Sequence, residues 1–237
     1  HPNSRYTAPA SGCPSLSPNY QNPEGIRIGA IVFEGRRADT VPLIREARSW
    51  DEGVFFGATL GAETTAAIEG KAGVVRRDPM AMRDFLTYRA GDYFAHWLAM
   101  GARLAHPPKV YVKNSFLKAD GRFIWNGYAD NLYVYRWIFE RAMGRVDAID
   151  TPIGRMPLSL ADIGEDGVNA DLAFARDRLI EVDRAAWRRE VQEMRAWLVG
   201  DGSGHAAEGH DWVGEGVPQP LIAELEFLEA RLSVRAS

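Results

Sequence analysis

The run Gly-Ile-Arg-Ile-Gly-Ala-Ile-Val-Phe at 25–33 constrains the fold more than any other stretch. Its β-branched residues, bounded by Gly and Pro, predict a buried strand. A turn, Glu-Gly-Arg-Arg-Ala-Asp, follows at 34–39. Residues 53–60 are a second strand candidate, and Lys-Val-Tyr-Val-Lys-Asn at 109–114 is a strand by alternation. Helical stretches separate and follow these strands, so the expected class is mixed α/β. Thr40 is the expected cap of a helix over 40–50, with Pro42 in its first turn. Asp78-Pro79 reads as a helix start. The pattern from Met80 weakens at Arg89-Ala90-Gly91 and resumes over 92–104, which predicts two helices. Residues 116–125 predict a hairpin turning at Asp120-Gly121, and 131–144 a helix stopped by Gly144. In the tail, Asp183 caps a helix on which Trp187, Val191, Met194 and Leu198 recur at helical spacing. A Gly-rich linker or loop covers 201–216, and an amphipathic helix spans 220–232. Residues 1–25, rich in Pro, Ser and Asn, read as loop.

Composition narrows the function classes. Of 237 residues 46% are hydrophobic, enough for a core, and the net charge of −4 supplies no global field for nucleic acid or an anionic membrane. No apolar run of about 18 residues predicts a membrane span, and the first thirty residues lack the basic and apolar regions of a signal peptide. The single cysteine, Cys13, rules out an internal disulfide framework and suits a reducing cytosol; beside Pro14 it reads as a small structural thiol. No G-x-x-x-x-G-K-[ST], H-E-x-x-H or paired C-x-x-C occurs.

Three stretches look chemical. Asn3-Ser4-Arg5 is the first. Gly35-Arg36-Arg37, directly after a strand, is either an oxyanion-binding turn, where guanidinium forks grip phosphate or carboxylate, or a solvated turn. The small-residue segment 61–73, with glycines at 61, 70 and 73, is either a lid that ligand contacts help to order or a plain surface helix. Phe116, Phe123, Trp125, Tyr128 and Tyr133 crowd one region. Core packing explains most such clusters, but Phe116, Phe123 and Tyr128 fall in or beside the hairpin. A flat base can stack among them there, with Asn131 reading its edge. His205, His210 and Asp211 tempt a metal assignment, but an exposed loop is the preferred reading; the carboxylates of the tail helices read as solvated faces.

His-Pro-Asn-Ser-Arg at the start, Gly-Arg-Arg with Val-Pro-Leu at 41–43, the run 53–71, Arg-Arg-Asp-Pro-Met-Ala-Met at 76–82, Gly-Asp-Tyr-Phe-Ala-His-Trp-Leu at 91–98 and Thr-Pro-Ile-Gly at 151–154 occur in one order. That order resembles the C-terminal portion of the GTP-dependent phosphoenolpyruvate carboxykinase family, from His1 through residue 154 and more loosely to the end. The resemblance implies part of that family's nucleotide-binding domain with a helical tail: residues 1–165 as catalytic domain with a mobile lid over 62–73, and 166–237 as helices packed on it. It implies a carboxy-lyase that converts oxaloacetate and GTP to phosphoenolpyruvate, GDP and carbon dioxide, reversibly. Manganese, with magnesium on the nucleotide, stabilises the enolate. It further implies a cytoplasmic monomer that binds neither nucleic acid nor membrane.

Carried over by position, Asn3, Ser4 and Arg5 resemble the segment on the organic acid, with Arg5 also near the nucleotide phosphates. Arg36 resembles the arginine on the transferred phosphate, so Arg5 and Arg36 are the implied catalytic residues. Phe116, Phe123 and Tyr128 resemble the guanine pocket, with Ala129, Asp130 and Asn131 in its closing loop. The family's phosphate loop and its metal-binding lysine, histidine and aspartate are expected upstream of His1. The chain is therefore expected to begin inside a catalytic domain and to be inactive by itself.

The chain departs from the family pattern near these positions. Glu34 replaces the first glycine of Gly-Gly-Arg-Arg, and either pairs with the arginines or points away. Ser115 replaces the tryptophan before Phe116; Asn126, Tyr128, Ala129 and Asp130 replace the usual residues around the closing loop; Ile68 replaces a small lid residue. These changes bear on guanine specificity more than on phosphate chemistry. Two further readings stay open: a carboxykinase-like paralogue with another nucleotide or keto acid, and a non-catalytic nucleotide-binding module.

Overall fold

A computed structural model describes residues 7–64, 72–200, 213 and 216–234. Its centre is a five-stranded sheet. The strands are β1 (Ala30–Glu34), β2 (Ile44–Glu46), β5 (Lys109–Lys113), β8 (Ile149–Thr151) and β9 (Gly154–Met156), in the order β1-β5-β2-β9-β8. β1 runs parallel to β5, and the other pairs are antiparallel. Two short ribbons stand beside it: β3 (Gly61–Glu63) with β4 (Val75–Arg77), and β6 (Lys118–Ala119) with β7 (Arg122–Phe123). The helices are α1 (Trp50–Ala58), α2 (Ala90–Arg103), α3 (Asn131–Ala142), α4 (Arg184–Val199) and α5 (Gln219–Ser233).

Alternation along the strands builds two cores. Ile31, Phe33, Val110 and Val112 face one side, where α1, α4 and α5 pack through Phe55, Trp187, Val191, Met194, Leu198 and Leu225. Val32, Tyr111 and Ile44 face the other, under α3 with Val134, Trp137 and Ile138. The mixed α/β class is the one observed. No helix among the described residues is long and apolar enough to cross a membrane.

Several local expectations hold. Asp120 (φ 49°) and Gly121 (φ 73°) turn the β6–β7 hairpin. Asp183 accepts from the amides of Ala185 and Ala186 at the start of α4, 2.9 and 3.0 Å. The tail segment 201–216 is described only at Val213 and Gly216.

Five expectations are corrected. The strand at 25–33 begins only at Ala30, and Ile26 and Ile28 are exposed. Its partner β5 is preceded by Pro107-Pro108, which have no N–H to extend the ladder, so pairing ends where Lys109 N–H meets the Gly29 carbonyl.

Residues 40–50 are not a helix. Thr40 is left-handed (φ 62°), and the Leu43 amide and carbonyl are taken by Leu179 and Asn114, so the segment becomes β2. Residues 53–60 are not a strand but most of α1. Ser49 caps that helix by accepting from the Glu52 amide at 3.0 Å. Gly53 and Gly57 let it lie on the sheet: a Cβ there would stand 2.6 Å from Val110 and 2.8 Å from Phe33. Because nearly the whole helix is buried, its sequence reads as an unbroken apolar run.

The helix expected after Asp78-Pro79 is a single 3-10 turn, Pro79–Ala81. Met80 (φ 54°) turns its side chain into the core against Gly57. Cys13 is exposed rather than structural, its Sγ 3.5 Å from the Ser15 hydroxyl.

Candidate functional site

The loop leaving β1 is held by one buried side chain, Asn114, at the end of β5. Its amide nitrogen donates to the carbonyls of Arg37 and Val41 at 2.9 and 2.8 Å. Its carbonyl oxygen accepts from the amides of Arg37 and Phe116, both at 3.1 Å. All four hydrogen-bonding positions of the amide are used, so the arginine loop and the start of the aromatic hairpin are fixed relative to one another.

Arg37 turns inward. Its guanidinium makes a two-point bond to Glu190 of α4, at 2.9 and 2.6 Å, and Arg77 of β4 binds the same carboxylate at 2.7 Å. Burial pushes the Glu190 carboxyl up. The Arg37 hydrogen bond and the charges of Arg77 and Arg37 overcome that and hold it down at about 2. Of the two arginines read as oxyanion binders, Arg37 is therefore a buried structural cation. Glu190, read as part of a solvated face, is 3% exposed. It lies on the stripe of Trp187, Val191 and Met194, and that spacing marks it as inward-facing.

Arg36 goes the other way. It lines a cavity of about 340 Å³ together with Glu63, Thr64, Phe116, Lys118 and Phe123, and with Ala72 and Gly73. Its guanidinium sits 4.3 Å above the Phe116 ring. No carboxylate pairs with it among the described residues. Phe116 and Phe123 meet edge to face, centroids 5.8 Å apart and planes at 76°, so the rings touch and do not form a parallel slot. The Lys118 ammonium lies 5.1 Å from the Phe123 centroid. Two cations and two aromatic rings around one opening suit a flat ligand carrying anionic groups.

Both described ends of the expected lid meet this cavity. Glu63 donates its amide to the Arg36 carbonyl at 2.8 Å and accepts from the Ala38 amide at 2.5 Å. Thr64 and Gly73 bond across the stem at 3.0 Å. Residues 65–71, with Ile68 and Gly70, lie outside the described residues, as do Asn3, Ser4, Arg5, His205, His210 and Asp211.

The closing loop stands apart from the cavity lining. Tyr128, Ala129 and Asp130 form a 3-10 turn, and Tyr128 is 96% exposed with φ 46°. Asn131 opens α3, and its Oδ1 accepts from the Ser115 hydroxyl and the Trp125 indole N–H, each at 3.1 Å. Glu34 points away from the arginines, to Lys113 at 2.9 Å.

Three residues that shape the site carried no functional signal in the sequence: Asn114, Lys113 and Glu190. A larger depression of about 550 Å³ lies behind the arginine loop, among Asp39, Glu181, Asp183, Arg178, Arg184 and Arg189. Its charges are mixed in sign and no aromatic ring lines it, so it is the weaker candidate. Among the described residues no three His, Cys, Asp or Glu converge to hold a metal.

Residues 1–211 match the family described as "Phosphoenolpyruvate carboxykinase C-terminal P-loop domain". The phosphoenolpyruvate carboxykinase (GTP) of Anaeromyxobacter sp. (strain K) is 42% identical over 237 residues, which is 98% of this chain and 37% of the relative. Its namesake in Treponema pallidum (strain Nichols) is 42% identical over 238 residues, covering 98% of this chain and 36% of the relative. That of Thermoplasma volcanium is 42% identical over 233 residues, covering 98% and 37%. The chain thus spans a little over a third of the length of the curated relatives it matches.

Proposed function

This chain belongs to the GTP-dependent phosphoenolpyruvate carboxykinase family, and from that membership we propose that it supplies the nucleotide side of a carboxykinase site. The reaction is oxaloacetate plus GTP to phosphoenolpyruvate, GDP and carbon dioxide, and its reverse. One juxtaposition supports this reading above the others: Arg36, the Phe116–Phe123 pair and both described ends of the 62–73 segment line a single cavity.

In this reading the aromatic pair takes the purine face, with Phe123 rotating from its edge-on contact to lie along the base. Tyr128, Ala129, Asp130 and Asn131 close over it. Arg36 leaves the Phe116 ring for the phosphoryl group in flight, where its fixed charge offsets the negative charge on the equatorial oxygens. Arg5 assists at the phosphates, and Asn3, Ser4 and Arg5 orient the organic acid. The 62–73 segment excludes water from the enolate, which a stray proton would turn into pyruvate.

A divalent cation, manganese with magnesium on the nucleotide, supplies enolate and phosphate charge stabilisation in such chemistry. The described residues of this chain present no ligand set for it.

The test is product analysis with the complete gene product that contains these residues, supplied with oxaloacetate and GTP, ITP or ATP. Phosphoenolpyruvate formed with GTP is the expected result. Formation with ATP alone marks a paralogue of altered preference. Nucleotide binding without turnover marks a binding module and refutes the reading.

A further inference from the structure

A small cavity of about 20 Å³ lies beneath the arginine loop, with room for one particle the size of a water molecule. Arg37, Arg45, Trp187 and Glu190 line it, with Phe56 and Met194 among its apolar walls. Five buried side-chain N–H groups have no partner among the described residues, and three of them belong to this one cavity's lining: Arg37 Nε, Arg45 Nε and Trp187 Nε1. All three side chains are more than nine-tenths buried. Such donors carry a desolvation cost until an acceptor meets them.

The charges around the cavity are unbalanced. The Arg45 guanidinium is stacked between two rings, 3.8 Å from the Phe56 centroid and 4.9 Å from that of Trp187. It donates to the Ile153 carbonyl at 2.9 Å, and no carboxylate pairs with it among the described residues. Burial pushes this guanidinium down to about 9, against the charges of Glu52 and Glu190. Both carboxylates are engaged elsewhere: Glu52 by Arg48 and Arg231, Glu190 by Arg37 and Arg77. Arg37, Arg45 and Arg77 therefore surround a single buried carboxylate, and Glu193, 3.3 Å from Arg77, is exposed.

A water fits this setting poorly. It brings two hydrogens along with its two lone pairs, and Glu190 already accepts three guanidinium N–H bonds. A monatomic anion accepts from every side, asks for no acceptor in return and offsets a buried cation. We propose that this cavity is a halide site, holding one chloride ion among the Arg37, Arg45 and Trp187 N–H groups and bracing the arginine loop from below. The site needs neither base nor phosphate, so it stands independently of the nucleotide reading.

The experiment takes crystals of the complete gene product grown in sodium bromide and reads the bromine anomalous signal. A single peak inside the cavity is expected. In solution, exchanging gluconate for chloride at constant sodium concentration should raise the melting temperature with each tenfold step in chloride. Arg45→Met should abolish both the peak and the chloride dependence. Trp187→Phe keeps a ring and drops the N–H, and should move the chloride titration about fivefold to higher concentration, the worth of one hydrogen bond. Should Arg45→Met not fold, Trp187→Phe carries the test with the same readouts. A cavity that holds only water, or a side chain from elsewhere in the complete gene product, overturns the inference. So does a melting temperature indifferent to chloride, or a folded Arg45→Met protein that keeps the parent's chloride dependence.

Discussion

Replacing Glu190 with glutamine removes one charge from a buried cluster and nothing of its shape. The carboxylate is 3% exposed and accepts two bonds from Arg37 and one from Arg77. Glutamine offers one oxygen and turns an NH2 toward a guanidinium, leaving buried Arg37 without its anion and Arg77 with only the exposed Glu193 carboxylate at 3.3 Å. Removing one partner of a buried ion pair costs about 3–5 kcal/mol. The carboxyl itself gives an independent figure. It moves from an ordinary 4.5 to about 2 on folding, and at about 1.4 kcal/mol per unit that gap corresponds to about 3 kcal/mol. A depressed carboxyl stabilises fully above its unfolded value and loses that contribution as pH falls toward 2. Urea unfolding at about pH 7 should therefore show Glu190→Gln less stable by about 3 kcal/mol. The deficit should shrink steadily in repeats at lower pH and approach zero near pH 2. A deficit below about 1 kcal/mol at neutral pH, or one that ignores pH across that window, would refute the reasoning.

Three further outcomes follow from the same geometry. Arg36→Ala in the complete gene product should lower phosphoryl transfer by at least about a hundredfold, with an unchanged circular dichroism melt, because Arg36 has no carboxylate partner among the described residues; turnover kept at parent stability removes Arg36 from the site. Phe123→Ala should weaken nucleotide binding by about 1–3 kcal/mol and leave oxaloacetate affinity and the melting temperature nearly unchanged, since the ring is 40% exposed; a large drop in melting temperature would mark it as core. Gly167→Ala places a Cβ 2.1 Å from the Trp125 ring and should destabilise by about 1–3 kcal/mol; a parent-like denaturation curve would show that the indole shifts freely.

What the sequence revealed followed how local the deciding contact is. The hairpin turn at Asp120-Gly121 and the Asp183 cap are set by residues within two or three positions, and both were legible. The pattern over 40–58 points to a helix followed by a strand, the reverse of the β2 and α1 that form, because the outcome there rests on distant partners. Leu43 bonds to Leu179 and Asn114, and α1 settles on Val110 and Phe33. The two arginines after β1 look equivalent in sequence. Only the Glu190 contact, 153 residues from Arg37, makes one structural and leaves the other facing the cavity. Glu34 shows the same limit: its composition left pairing with the arginines open, and Lys113 settles its direction.

The stem joining β3 to β4 separates where the arginine stands from what covers it. Thr64 and Gly73 are tied across it, with the Thr64 amide on the Val74 carbonyl, while Glu63 is bonded to the backbone of Arg36 and Ala38. The arginine is thus registered to the base of the stem and not to whatever lies between its two sides. A doubling of the enclosed length costs only about 0.6 kcal/mol of closure entropy. The place of the guanidinium is therefore insensitive to recoding between Thr64 and Gly73, while the water exclusion proposed for that segment is not, so substitutions above the stem should change how much pyruvate escapes before they change where Arg36 stands.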